Sequence, residues 1–396
     1  MKDSRVSARV RALKPSETLA LGARARELRA QGHSVISFAA GEPDFDTPED
    51  VREAGVQAIR AGHTRYTAVG GIPELRAAIA ESLKRGNGLH YTPGQIVVSN
   101  GAKHSIWNAF LTLIEPGDQV LCPVPYWVTF PELVRLVGGE PVFVHPKPGS
   151  IKIGPEELER DITQRSKLLV LNSPNNPSGA VYTKEELEAL GKVIRKHGLY
   201  VLSDEIYEQL VFGNARHVSI ASLHPELQDR TILIGGVSKT WAMTGWRIGF
   251  AAAPADLAEG MERLQGQSTS NAAAVSQFAA LRAFTGPRES VNSMRECFAR
   301  RRDRIVERLS AMPGIRLVPP EGAFYAFPDM SERIRGARNG VKDSVGLSNY
   351  LIDEARIVCV PGSAFGMEGH LRLSYAIADQ DIEEGLNRFE AALDRM

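Results

Sequence analysis

The sequence predicts an α/β protein built on a mostly parallel sheet, and three observations point there. Between residues 95 and 252, apolar runs of strand length alternate with charged, amphipathic stretches of helical length. Glycines and prolines punctuate the junctions between them, as turns require. The chain of 396 residues is long enough for one large domain with a smaller satellite and a sizeable buried core.

Element by element, Leu19, Leu21, Ala25 and Leu28 recur at near-helical spacing over 16–31, and Gly32 supplies a stop. A short strand, VISF (35–38), follows. Pro48 and Pro73 each open a charged amphipathic helix, 49–61 and 74–85, in the manner of a proline in the first turn, with Gly62 and Gly86 closing them. The alternation then runs QIVVS (95–99), helix 102–114, QVLCP (119–123), helix 127–137, PVFVH (141–145), helix 155–161, KLLVLN (167–172), helix 183–197 and LYVLSD (199–204). TILIG (231–235) and RIGFAA (247–252) have the same buried-strand character. Helical patterns fill 255–311. The remainder mixes strands within GAFYAFP, IVCVP and LRLSYA with helices near 343–354 and 379–394. The basic run RRRDR (300–304) reads as the solvated face of a helix whose apolar face carries Ile305 and Leu309, and 329–346 reads as a polar surface insertion.

Lys plus Arg and Asp plus Glu both number 47, so the net charge is zero and the basic footprint of a general nucleic-acid binder is missing. Cys122, Cys297 and Cys359 are far apart and form no C-x-x-C, which supports neither a disulfide framework nor a zinc site and fits a reducing compartment. The first 32 residues hold Asp3, Glu17 and Glu27 and no apolar core, unlike a secretory or transit peptide, and no later stretch has the length of a membrane span. The expected location is cytoplasmic, and the expected partners are small molecules or a second copy.

In an open parallel sheet, ligands gather at the carboxyl ends of the strands. Five such ends are unusual: Ser99 to Lys103, Pro125 to Trp127, Asn172 to Gly179, Ser203 to Tyr207 and Gly235 to Lys239. The first places Gly101 and Ala102 at a helix N-terminus, where free N–H groups favour an anion such as phosphate. Neither a GxxxxGK[ST] loop nor a GxGxxG fingerprint occurs, which weakens nucleotide and nicotinamide readings. Lys239 is an amine after a buried strand, able to form a Schiff base if burial or charge lowers its pKa. Asp204 would be a buried acid in need of a cationic partner, such as a protonated pyridine nitrogen, or else a helix cap.

Taken together, N-x-P-x-N-P-S-G (172–179), S-D-E-I-Y (203–207) and S-K-T-x-A-M-T-G-W-R-I-G (238–249) resemble the class I pyridoxal-phosphate aminotransferases of fold type I. The resemblance continues through AGEPDFDTPE (40–49), RYTAVGGIPELR (65–76), PYWVTFPE (125–132), PEGAFY (320–325) and LRLSYA (371–376), and so covers nearly the whole chain. KPSET (14–18) and NGAKHS (100–105) place it nearest the bacterial branch of aspartate aminotransferases. This implies a large, mainly parallel seven-stranded domain over 48–290 and a smaller α/β domain formed by 1–47 and 291–396.

The resemblance also implies roles. Lys239 matches the lysine that holds pyridoxal 5'-phosphate covalently and shuttles the substrate's α proton. Asp204 matches the carboxylate paired with the pyridine nitrogen, Tyr207 and Asn176 the donors to the ring's phenolic oxygen, and Trp127 the aromatic stacked on the ring. Gly101, Ala102, Lys103, Ser238 and Arg247 match the phosphate site, with a hydroxyl of some relatives replaced by Gly236. Tyr66 matches a tyrosine that reaches the phosphate of the neighbouring subunit, implying a homodimer with shared sites. Arg372 matches the clamp on the substrate α-carboxylate, assisted by Asn176 and the backbone of Gly41.

For the distal carboxylate, 266–277 contains no arginine, and the branch uses the lysine matching Lys103, with hydroxyls matching Ser16 and Thr18 nearby. Lys14 matches a lysine associated in some relatives with prephenate, and Glu17 departs from the usual small residue. The implied activity moves the amino group of L-aspartate to 2-oxoglutarate by a ping-pong mechanism, with prephenate as a second acceptor. An aromatic or alanine aminotransferase, a fold-type-I lyase, and a regulatory protein on the same scaffold are the alternatives.

Overall fold

The computed structural model describes residues 5–13, 17–337 and 340–396, and of residues 17–20 the backbone only. Twelve strands form three sheets among the described residues. They are β1 (Ile36–Ser37), β2 (Ile96–Asn100), β3 (Gln119–Pro123), β4 (Glu140–Val144), β5 (Ser166–Asn172), β6 (Tyr200–Asp204), β7 (Thr231–Gly236), β8 (Ile248–Ala252), β9 (Tyr325–Ala326), β10 (Ile357–Val358), β11 (Val360–Pro361) and β12 (Leu371–Ser374).

The expected seven-stranded sheet is present, in the order β2-β8-β7-β6-β5-β3-β4. Pairing is parallel except at β8, which runs antiparallel to both β2 and β7. Six strands therefore point their carboxyl ends to one edge, and β8 starts from that same edge.

The inner strands largely bury both faces, which is why their runs read as continuously apolar, whereas the edge strand β4 is mostly half-buried. On one face Val120, Leu168, Val170, Leu202 and Ile232 pack with Ile106 and Phe110 of the helix Ala102–Leu113. On the other, Leu121, Leu169, Leu171 and Val201 pack with Leu187, Leu190 and Ile194 of the helix Lys184–His197. Thr183 caps that second helix reciprocally: its hydroxyl accepts from the Glu186 amide at 3.2 Å, and Glu186 Oε2 accepts from the Thr183 amide at 2.8 Å.

The carboxyl-terminal strands form a small antiparallel sheet, β11-β12-β9, while β1 pairs in parallel with β10. Phe38, Phe298, Phe324, Tyr325, Leu373 and Phe389 lie in one buried cluster, so the 36–38 segment packs with the last hundred residues.

Several local expectations need correction. Gly86 lies inside the helix Pro73–Asn87, and the stop is Gly88, in the left-handed region at φ 68°. Pro48 is the residue before its helix and not part of the first turn. The 300–304 run is not wholly solvated: Arg301 is buried because two carboxylates meet it inside the packing. The 329–346 stretch contains a helix, Ser331–Gly336, whose Ile334 joins the core, and Ser344, buried, begins the helix Ser344–Ala355. All three cysteines are free; Cys122 and Cys359 are buried and Cys297 half-buried. No helix among the described residues is long and apolar enough to cross a membrane.

Candidate active site

The sheet edge assembles the site by strand termination. Asn172 and Asp204 end adjacent strands and are direct partners in the register of β5 and β6. Lys239 follows β7, and Arg247 immediately precedes β8. A cavity of about 930 Å³ opens there, lined by Gly41, Ala102, Lys103, Trp127, Asn176, Asp204, Tyr207, Ser238, Lys239, Arg247 and Arg372. Gly101 lies directly beneath the Arg247 guanidinium.

Asp204 is 5% exposed, and its Oδ1 accepts only a long bond from the Ile206 amide, at 3.3 Å. Burial pushes its carboxyl up to about 7, and the charge of Glu205 adds to the effect. Burial lowers the Lys239 ammonium to about 8, with Arg372 and Arg247 acting in the same direction against Glu42 and Asp204. Lys239 Nζ donates to the carbonyl of Gly41 at 2.5 Å. Gly41 thus serves the lysine directly, a role the sequence reading did not give it.

Arg372 is buried on β12 and braced by four neighbours. One terminal nitrogen donates to Asn176 Oδ1 at 3.0 Å and the other to the Ala39 carbonyl at 3.0 Å. Its guanidinium lies 4.5 Å from the Tyr325 ring centre and 5.2 Å from that of Phe365. Its Nε is buried with no hydrogen-bond partner, an orphaned donor of the kind a bound anion satisfies. Asn176 is fixed in turn, its backbone N–H donating to Asn172 Oδ1 at 2.8 Å, while Asn172 Nδ2 donates to the Asp204 carbonyl at 3.1 Å.

The helix Ala102–Leu113 starts at Gly101, whose φ of 84° suits glycine. A Cβ there would stand 2.4 Å from an Arg247 terminal nitrogen, and a Cβ on Gly249 would stand 2.1 Å from the Ala102 amide nitrogen. Both glycines therefore let a helix N-terminus and a guanidinium approach each other, which makes an anion site. Lys103 Nζ lies 4.9 Å from the Trp127 ring centre, and burial, followed by the charge of Arg247, lowers its pKa. A side chain at Gly236 would meet Ile206, Ile248 and Gly249 at 3.0–3.1 Å, so this chain has little room for the hydroxyl some relatives carry there.

Tyr66 is not brought into this cavity; its side chain is on the surface, 89% exposed. Lys14 and Ser16 lie outside the described residues, as does the side chain of Thr18. Sequence reasoning missed Tyr325, whose hydroxyl pairs with that of Tyr207 at 2.9 Å, and Glu42, which accepts from the Thr244 hydroxyl at 2.7 Å. Both sit in quoted motifs, PEGAFY and AGEPDFDTPE, but only tertiary contact reveals what they touch.

Over nearly its full length the chain resembles an aspartate aminotransferase from Geobacillus stearothermophilus, at 46% identity covering 97% of this chain and 98% of that one. An aspartate/prephenate aminotransferase from Cereibacter sphaeroides is also 46% identical, covering 96% of each. Among solved structures, the aspartate aminotransferase of Rhizobium meliloti superposes with a TM-score of 0.95 at 40% identity, covering 99% of both chains. That of Thermus thermophilus with maleate gives 0.93 at 42%, covering 98% of this chain and all of that one. The profile of the family described as aminotransferase class I and II matches residues 33–389, and the chain belongs to that family.

Proposed function

We propose that the protein is an aspartate aminotransferase using pyridoxal 5'-phosphate, moving the amino group of L-aspartate to 2-oxoglutarate. The observation that carries the reading is the convergence, in one cavity, of a lysine near pKa 8, a buried carboxylate near 7 and a buried arginine with an orphaned nitrogen. The donor set fits the cofactor. Among the described residues no ion pair reaches the buried Asp204 carboxyl, which suits a protonated ring nitrogen, and the Gly101 to Lys103 helix start with Ser238 and Arg247 suits a phosphate. Trp127 supplies a flat face, and Tyr207 and Asn176 supply polar groups for the ring's phenolic oxygen. When bound, the cofactor supplies an electron sink for the carbanion at the substrate α-carbon.

The remaining steps fall to the chain's own residues. Arg372 binds the substrate α-carboxylate with its forked donors, and its bracing by Asn176 and Ala39 fixes the angle. Lys239 Nζ, with a pKa near 8, is poised to accept the α proton and return it. Lys103 beside Trp127 is the described cation placed for a distal carboxylate, with Lys14, Ser16 and Thr18 proposed to complete that pocket. The Thermus thermophilus neighbour's maleate, a four-carbon dicarboxylate, supports a pocket for two acidic groups. Relatives named aspartate/prephenate aminotransferase favour prephenate as a second acceptor.

We further assign 48–290 to a large cofactor domain and 1–47 with 291–396 to a small one. The enzyme is proposed to be a cytoplasmic homodimer in which Tyr66 of one protomer reaches the phosphate of its partner. Val56 (39% exposed), Ile59 (57%) and Tyr66 (89%) support that contact as unusually exposed large residues of one short segment. Initial rates with L-aspartate varied at several fixed 2-oxoglutarate concentrations should give parallel double-reciprocal lines. Intersecting lines would contradict the ping-pong scheme.

A further inference from the structure

Outside the cavity, one buried charge is placed to act on it. Arg301, in the helix Glu289–Ala311, has a side chain only 9% exposed and reaches carboxylates on two other elements. Its Nε donates to Asp379 Oδ1 at 2.6 Å, and a terminal nitrogen donates to Asp44 Oδ1 at 2.7 Å. Asp379 opens the last helix, Asp379–Asp394. Asp44 belongs to the 39–47 loop, which presents to the cavity the Ala39 carbonyl that holds Arg372 and the Gly41 carbonyl that holds Lys239.

The ends of that loop are anchored independently. Phe38 exchanges backbone bonds with Val358 and Ser374 at 2.8 and 2.7 Å, and the Thr47 hydroxyl donates to the Ala242 carbonyl at 2.7 Å. Besides the Lys239 bond to the Gly41 carbonyl, the loop's own side chains Glu42 and Asp44 accept bonds from Thr244 and Arg301. A second route joins Arg301 to the lysine. The guanidinium lies 5.4 Å from the Phe45 ring and 6.0 Å from the Phe298 ring; Phe45 meets Phe298 edge-on at 5.3 Å between ring centres, Phe298 stacks on Phe324 at 5.4 Å, and the Phe324 ring centre lies 5.9 Å from Lys239 Nζ.

We propose that Arg301 is a positioning residue for transamination: through Asp44 it fixes the 39–47 loop, and with it the two carbonyls that set Arg372 and Lys239. This rests on the aminotransferase reading above. A charge-assisted bond fixes both distance and direction, and misplacing a carboxylate clamp by about an ångström is enough to lower turnover by orders of magnitude. A merely structural joint would respond alike to loss of either carboxylate, whereas positioning makes Asp44 special because only Asp44 is on the loop.

The test compares Asp44→Ala with Asp379→Ala in the full-length, cofactor-loaded enzyme, reading KM and kcat for L-aspartate, melting temperature, and hydrogen exchange of peptides spanning 39–47. Asp44→Ala should raise KM about tenfold, lower kcat and speed exchange across the loop by about tenfold, whereas Asp379→Ala should leave KM and loop exchange within about twofold of wild type. Asp44→Asn, which keeps an oxygen for the guanidinium, should restore part of the loss. Equal drops in melting temperature with unchanged KM and loop exchange in both variants would overturn the proposal. If the wild-type enzyme fails to turn over L-aspartate, the functional reading falls, while the exchange comparison still decides whether Asp44 holds the loop.

Discussion

At the scale of single residues, the site combines groups that folding alone would not favour. Asp204 is an acid whose folded pKa, about 7, lies above its ordinary value of 3.8. The folded state therefore holds more protons than the unfolded one between those values, so its stability declines as pH rises through that window, and the penalty is complete above about 7. In the cofactor-free protein, Asp204→Asn should raise the melting temperature at pH 8 and leave it nearly unchanged at pH 4, a contrast that calorimetry at the two pH values checks. Transamination should be lost in the same variant, since asparagine cannot hold a protonated ring nitrogen. Arg372→Lys replaces a fork braced by Asn176 and Ala39 with a single point charge, and kcat/KM for L-aspartate should fall about a hundredfold in steady-state assays. Lys239, Asp204 and Arg372 were legible because each follows or sits within a motif. The Tyr207–Tyr325 pair, 118 residues apart in sequence, was not, because nothing local records which hydroxyls will meet.

At the scale of elements, the site depends on strand ends and on how closely a helix start can approach them. Gly249 sits on β8 opposite Ser99, and a Cβ on it would lie 2.1 Å from the Ala102 amide nitrogen and 2.5 Å from the Gly101 carbonyl carbon. Backbone rather than a flexible side chain would have to move. Gly249→Ala should therefore displace the helix start and weaken cofactor phosphate binding at least about tenfold, measured by equilibrium titration of the cofactor-free protein. Unchanged affinity would place the phosphate elsewhere. The strands themselves were readable as apolar runs bounded by turn residues. The antiparallel direction of β8 was not, since a buried strand looks the same in either direction. Arg301 escaped for a related reason: a basic run on a helix gives no sign that Asp44 and Asp379, from distant segments, will enclose one of its members.

At the scale of the whole molecule, shared sites require a partner subunit. A dimer predicts a mass near twice 43.2 kDa by sedimentation, and Tyr66→Phe should weaken cofactor binding although Tyr66 is 89% exposed in the single chain. A monomeric mass, or an unaffected Tyr66→Phe variant, would remove the shared-site reading. The reaction at stake is conversion of an acidic amino acid to its keto acid in the cavity. Its most direct test is a titration of the cofactor-loaded protein with L-aspartate and no acceptor, following the visible band of the bound cofactor and the release of oxaloacetate. Saturable conversion of that band to the spectrum of the amino form, with one oxaloacetate per site, is expected. An intact cofactor band on Lys239 that neither L-aspartate nor L-glutamate converts would contradict it.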